Sequence, residues 1–427
     1  MSAMFAALSV RNYRIYAAGA LISNTGTWMG RVAQDWVVLT ELTNNSAQAL
    51  GIVTGLQFLP MLLFAPIGGA LSDRFAKRRM MFITQAVMAL TALAMGLLVL
   101  SGDMQLWHMY VLAFVQGSAA AMDAPARQAI VSELVPPERL TNAVGLNSAS
   151  FNSGRLIGPA LAGLLIAWVG TGPTLLVNGA TFVAVMISLA LLDPAQLRLT
   201  PRSRGRGQIR EGVRYVRGRP DILLIMALVF VHGTFGMNFQ LTNALMATEV
   251  YERGVKEFGL LGSVMAIGSL GGALLAARRE RPRWRMLLGA LGAFTICTLA
   301  LGFAPSYTTY AVLLIPTGLA ALTVMVTANS MVQLSVAPQV RGRVMSLYMA
   351  VFFGGTPLGA PMIGWVGDEF GARWTIWIAT LMCGLAVTAA TLYLMRTDDL
   401  HVRRGHSLGH PLILERGGLQ AMPEQAR

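Results

Sequence analysis

The chain has 427 residues, a formal net charge of +13 and a mean hydropathy of +0.57, with 55% hydrophobic and only 12% charged residues. Soluble chains of this size carry about 25% charged residues, so the deficit excludes a soluble enzyme and places most of the polypeptide against lipid. The positive balance does not signal nucleic-acid binding, because the bases sit between apolar segments instead of forming one basic face.

A membrane span needs roughly 20 mostly apolar residues. About twelve such segments begin near Ile15, Ala49, Met80, Leu106, Leu140, Thr174, Ile222, Phe258, Met286, Thr309, Val344 and Trp374. With the N-terminus in the cytoplasm, 28 of the 33 Lys and Arg fall in cytoplasmic connections and tails. Arg253, Lys256 and Arg373 fall outside, and Arg31 and Arg155 fall within spans. By the positive-inside rule the chain is expected in the cell inner (plasma) membrane as a multi-pass protein with both termini cytoplasmic. Arg11 and Arg14 precede a first segment too long for a cleavable signal, so it is expected to remain as a span.

Span one carries the clearest embedded polar stripe. Asn24, Trp28, Arg31 and Asp35 follow spacings of four, three and four, which puts them on one helical face. Asp35 is the only acid well inside a predicted span. Desolvation and a nearby cation pull its ionisation in opposite senses, as a proton-coupling site requires. A permanent Arg31–Asp35 brace is the other reading of the same spacing, and the sequence leaves both open. Asn24 and Trp28 are candidates for a substrate cavity.

The connection after span two reads Gly68-Gly-Ala-Leu-Ser-Asp-Arg-Phe-Ala-Lys-Arg-Arg79, a glycine-rich helix end with one acid and four bases. Asp123, Arg127 and Glu133 gather near the end of span four, where Asp123 is expected to act at the interface as a latch partner. Span five holds Gly145, Gly154, Gly158, Pro159 and Gly163 at spacings that permit close packing and a kink. Arg155 lies among them. A guanidinium in hydrocarbon costs roughly 2.5–3.5 kcal/mol on insertion scales, so it should face a cavity or a partner.

The basic stretch 193–220 is expected to be a cytoplasmic linker near anionic lipid, with a short surface helix over Ile209–Arg219. It separates an N-terminal six-helix bundle at 1–192 from a C-terminal one at 221–396, and a cytoplasmic tail without stable structure is expected at 397–427. In span seven the face matching the stripe of span one is His232, Gly236, Phe239 and Asn243. His232, Asn243 and, in span ten, Asn329 are further cavity candidates. Cys297 and Cys383 are both in apolar spans, so neither a disulfide nor a metal site is expected. No nucleotide-binding loop or nucleophilic triad is visible, and neither enzymatic activity nor a cofactor is expected.

The two halves repeat. Thr40-Glu41 and Thr248-Glu249 are 208 residues apart, Gly68-Gly-Ala-Leu71 and Gly271-Gly-Ala-Leu274 are 203 apart, and the pairs Pro136/Pro338 and Pro159/Pro361 are each 202 apart. Parallel repeats of six spans imply a two-fold axis along the membrane normal, with substrate bound between the halves. The second copy of the glycine run has Ala276 where the first has Asp73.

On these motifs the chain, from roughly Asn12 to Met395, resembles the major facilitator superfamily, specifically the drug:proton antiporter branch with its enterobactin-exporter-like and macrolide-efflux-like members. The resemblance implies an all-α fold of about twelve transmembrane helices in two pseudo-symmetric bundles. It also implies a gating latch: Gly69, Asp73, Arg74, Lys77 and Arg78 match the family's loop motif, whose acid docks at the start of span eleven, where Arg341 and Arg343 lie. With Ala276 in place of an acid, that latch is expected on one side only. Gly145, Gly154, Arg155, Gly158, Pro159 and Gly163 resemble the motif carried by the family's exporters. The expected function is secondary export of a small amphipathic or apolar molecule, such as a drug, antibiotic or siderophore-like metabolite, by proton antiport in a monomer. A proton-linked uptake permease and a non-transporting receptor or scaffold are the alternatives.

Overall fold

The computed structural model describes residues 3–198, 208–277, 282–396, 401–403 and 413–415. Within the helices and strands, the side chains of 3–4, 65–74, 208–211, 276–277, 338–339, 401–403 and 413–415 lie outside the description.

The first half consists of α1 Arg11–Trp36, α2 Ala47–Arg74, α3 Lys77–Ser101, α4 Leu106–Leu134, α5 Pro137–Val169 and α6 Thr171–Ala190. A linker helix, α7 Gln208–Arg217, realises the expected surface helix. Span seven is not one helix. It runs as α8 Pro220–Val231 into a π turn at His232–Gly236, leaves helical geometry at Met237 and Asn238, and resumes as α9 Phe239–Leu245 before a second π turn, Met246–Val250. The second half continues with α10 Val255–Ala277, α11 Trp284–Gly302, α12 Tyr307–Ser335, α13 Pro338–Phe370 and α14 Trp374–Arg396. In the tail, His401–Arg403 pairs antiparallel with Ile413–Glu415 in a two-stranded ladder.

Among the described residues, nine helices are both long and apolar enough to cross a membrane. The other three spans, α1, α4 and α5, have the length (26, 29 and 33 residues) but more polar side chains. They are the spans that carry Asp35, Asp123 and Arg155.

The repeat is visible in local geometry. Helices α5 and α13 both have 33 residues, both start on a proline and both carry an interior proline about two-thirds of the way along, Pro159 or Pro361. Proline at the first turn sacrifices no helical hydrogen bond. The π turn Val37–Leu42 that ends span one corresponds to Met246–Val250 at the end of span seven, and each includes the repeated Thr-Glu pair. Shortly after each π turn the chain takes a left-handed residue, Asn45 at φ 60° and Glu252 at φ 50°.

Two seams join the bundles, α2 against α13 and α5 against α10. Both are tight near the face opposite the basic connections. A Cβ on Gly51 would lie 2.3 Å from the Ala360 carbonyl oxygen, and one on Gly259 would lie 2.2 Å from that of Pro159. Only glycine fits where backbones approach this closely. Trp36 stacks on Phe258 across the same region, with ring centroids 6.2 Å apart. Towards the basic face, Gly145 of α5 and Gly342 of α13 have nothing within 4 Å of such a Cβ. The structure is therefore closed on the face opposite the basic one.

Leucine at Gly51 or Gly259 should prop this closed face open, whereas leucine at Gly145 should be accommodated. Maleimide labelling of a cysteine placed at Ala47, which is buried against Gly364 and Gly367 of α13, should accelerate several-fold in the first two variants and not in the third. Equal labelling in all three would mean that the seam does not hold the face shut.

Candidate functional site

The site is built around α1. Asp35 is 2% exposed, and its Oδ2 accepts a hydrogen bond from Gln240 Nε2 of α9 at 2.6 Å. This buried carboxylate thus bridges the two halves. Gln240 was missed by the sequence reading, which followed a 3.6-residue period through span seven. The π turn and the break at Met237 and Asn238 change that register.

The same break explains where two cavity candidates lie. His232 is fully buried and edge-on to Phe294 of α11, with ring centroids 4.6 Å apart. Asn243 Oδ1 accepts from the Tyr310 hydroxyl of α12 at 2.8 Å. Both face the interior of the second bundle, not the first half. Asn329 is half-buried on α12 and accepts from Gln333 Nε2 at 2.8 Å.

Arg31 does not brace Asp35: no ion pair within 4.0 Å joins them among the described residues. Its Cζ instead lies 4.9 Å from the ring centroids of both Trp28 and Phe58. Arg155 approaches Trp28 from α5, with Cζ 5.6 Å from the ring centroid. Cation–π attraction offsets part of a guanidinium's desolvation where no carboxylate is available. Asn24 Nδ2 donates to Ser150 Oγ at 2.9 Å, tying α1 to α5 just on the basic side of Trp28. The backbones meet here as well, because a Cβ on Gly158 would sit 2.7 Å from Trp28 Cβ. The span-five glycines therefore serve two contacts: Gly154 and Gly158 seat α5 on α1, while Pro159 and Gly163 meet α10 at the seam.

A further polar line was not anticipated. Gln57 Nε2 of α2 donates to Gln34 Oε1 at 2.7 Å, and Gln34 Nε2 donates to Gln116 Oε1 of α4 at 2.8 Å. Three glutamines in otherwise apolar spans were the available signal, since a buried amide needs partners.

Asp123 is not at the boundary between the halves. It is 3% exposed within the first bundle, accepting from Thr84 Oγ1 at 2.7 Å and from Arg127 Nε at 2.8 Å. Of the loop motif, the side chains of Asp73 and Arg74 lie outside the described residues, as does the surrounding of Gly69. Lys77 pairs with Glu133, and Arg78 donates to the Ala190 carbonyl at 3.0 Å, both within the first half. Arg341 donates to the Val336 carbonyl at 3.4 Å, and the start of α13 near Arg343 packs on Gly212 of the linker helix.

The opposite face has an acid of its own. Asp368, near the end of α13, accepts from the backbone amides of Ala47 at 2.6 Å and Gln48 at 3.0 Å and from Ser46 Oγ at 2.9 Å. It caps α2, whose free amides and partial positive charge favour an anion. The sequence signal was positional: Asp368 precedes the end of α13 by two residues, and Asp73 precedes the end of α2 by one.

Two repeated six-helix bundles, with polar groups gathered where they meet, define a major facilitator transporter. The chain belongs to the transmembrane secretion effector family, whose model matches residues 2–413. Its members are multi-pass membrane transporters and not enzymes. The multidrug efflux pump Tap of Mycolicibacterium fortuitum is 28% identical over 395 residues, covering 89% of this chain and 95% of Tap. The MFS-type transporter YfiS of Bacillus subtilis is 27% identical over 379 residues, covering 86% and 88%. Among solved structures, a bacterial homologue of the human lysosomal transporter Spinster, in an inward-facing and unoccupied conformation, has the same fold. Its TM-score is 0.71 at 16% identity, with 90% of this chain and 97% of that one covered.

If the Asp35–Gln240 contact is a real coupling between halves, Gln240→Leu should cost about 1–3 kcal/mol by leaving a buried carboxylate unpartnered. Asp35→Leu combined with Gln240→Leu should cost less than the two single changes added together. Unfolding of the four proteins in mixed detergent measures the coupling; strict additivity would show that the contact contributes nothing.

Proposed function

We propose that the protein is a secondary exporter in the cell inner membrane, with its basic face and both termini in the cytoplasm. It moves small amphipathic molecules outward in exchange for protons by alternating access. The observation that carries this reading is Asp35, a buried acid of span one with no cation within 4.0 Å among the described residues, held by a residue of the other half. Gln240 donates to the carboxylate only while the halves meet at this level. Proton binding and opening of the outer face therefore act on the same hydrogen bond. A ligand shifts a conformational equilibrium by its differential affinity for the two states, and the proton has such a difference here. Each proton entering down 100 mV supplies about 2.3 kcal/mol, enough to sustain uphill export.

The export direction rests on span five and on the multidrug efflux pump among the relatives. Pro159 and Gly163 lie in the seam that closes the outer face, which suits a motif whose task is to keep one access path sealed while the other opens. Gating is then carried by two acids on opposite faces. Asp368 caps α2 while the outside is shut, and Asp73 docks at the start of α13 when the inside is shut.

Asp35→Asn should abolish proton-driven accumulation of a neutral amphipathic dye such as Nile red in inverted vesicles while leaving dye binding intact. Accumulation at the unaltered level by Asp35→Asn would overturn the coupling role. Asp368→Asn keeps the shape of the cap but removes its charge. It should raise outer-face cysteine labelling and slow export several-fold, and unchanged labelling and export would remove Asp368 from the gate.

A further inference from the structure

Arg31 and Arg155 are half-buried, and among the described residues neither has a carboxylate within 4.0 Å or a hydrogen bond to the protein. Both guanidinium carbons lie near one ring, 4.9 Å and 5.6 Å from the Trp28 centroid, so they are at most 10.5 Å apart, the sum of those distances. The acid on the same face, Asp35, is engaged by Gln240. Two cations and one acid leave a net positive charge at membrane depth, where an uncompensated charge is costly. Elsewhere in the first bundle Arg127 is neutralised by Asp123 and Lys77 by Glu133, so the absence of counter-ions is local to this site.

We infer that the transported molecule is an anion with an apolar or aromatic body, and that Arg31 and Arg155 hold its carboxylate or comparable oxyanion against Trp28. This rests on the transport reading above and names its substrate class. A guanidinium forms paired, charge-assisted hydrogen bonds to an oxyanion with its edge while its face stays on an aromatic ring. Trp28 and Phe58 supply the faces, and Trp28 with the half-exposed Phe151, 5.9 Å away centroid to centroid, offers an apolar wall. The Asn24 amide, donating to Ser150, borders the same wall on its basic side.

The test uses three probes with one aromatic body: 1-pyrenebutyrate, 1-pyrenebutanol and 1-pyrenemethylammonium. Binding to the purified full chain is followed by quenching of tryptophan fluorescence. Pyrenebutyrate should bind about tenfold more tightly than the ammonium, and Arg31→Gln or Arg155→Gln should each weaken it about tenfold. Pyrenebutanol binding should stay within about twofold in both variants, which also shows that they are folded. Arg155→Lys should retain part of the preference. Equal or tighter binding of the ammonium by the unaltered chain overturns the proposal even if neither variant folds. Repeating the titration in nanodiscs separates a solute from lipid phosphate: affinity lost only in anionic discs assigns the site to lipid and overturns the substrate claim. Pyrenebutyrate that binds in an arginine-dependent way but is not moved by energised inverted vesicles refutes export and leaves the anion site intact. Nile red export without arginine-dependent anion binding does the reverse.

Discussion

In lipid, apolar helices gain little by meeting, since the acyl chains are as apolar as the side chains they would replace. What joins two bundles is close packing and polar contact. Here the two are concentrated at the same level. The seams α2/α13 and α5/α10 bring backbone onto backbone at Gly51 and Gly259, and Asp35 reaches Gln240 between them. A contact of this kind has no intermediate setting, because packed interfaces are bistable and do not deform continuously. Parting the seams exposes glycine backbone and frees a carboxylate together.

Much of the fold was legible because lipid is a strict solvent. Apolar length marked the spans, and basic residues marked their connections. The polar spans α1, α4 and α5 remained recognisable because their polar residues are few and confined to certain faces. The repeat was readable from spacing alone, and matched π turns and matched 33-residue helices give it a structural form. Of the stripe on α1, Arg31 lies over Trp28 and Asn24 bonds to α5 beside them, while Asp35 reaches Gln240 of the other half.

What escaped the sequence did so for identifiable reasons. Span seven breaks helical period, so His232 and Asn243 turned into the second bundle while Gln240 met Asp35. An i, i+4 acid–base pair suggests a brace, yet Arg31 lies over two aromatic rings and makes no ion pair within 4.0 Å among the described residues. Asp368 lies 320 residues from its Gln48 partner, and no local pattern joins them. Looking for the second acid at Ala276 followed the repeat along the sequence, from α2 to its counterpart α10. The acid instead belongs to α13, the helix that α2 packs against.

That displacement carries a consequence for how the closed face is held. Helices α2 and α13 pack along one seam, and α13 ends in an acid, Asp368, that lies beside the start of α2. An acid at a helix C-terminus is poorly placed with respect to its own dipole, which favours cations there. Docked on the neighbouring helix's N-terminus, the same acid meets free amides and a favourable field. Asp368 is therefore not at its best within its own helix and gains its amide partners only where α2 and α13 meet on the closed face. Parting that face would forfeit a charge-assisted cap together with the glycine contacts of the seam, so its closure is held by charge as well as by packing.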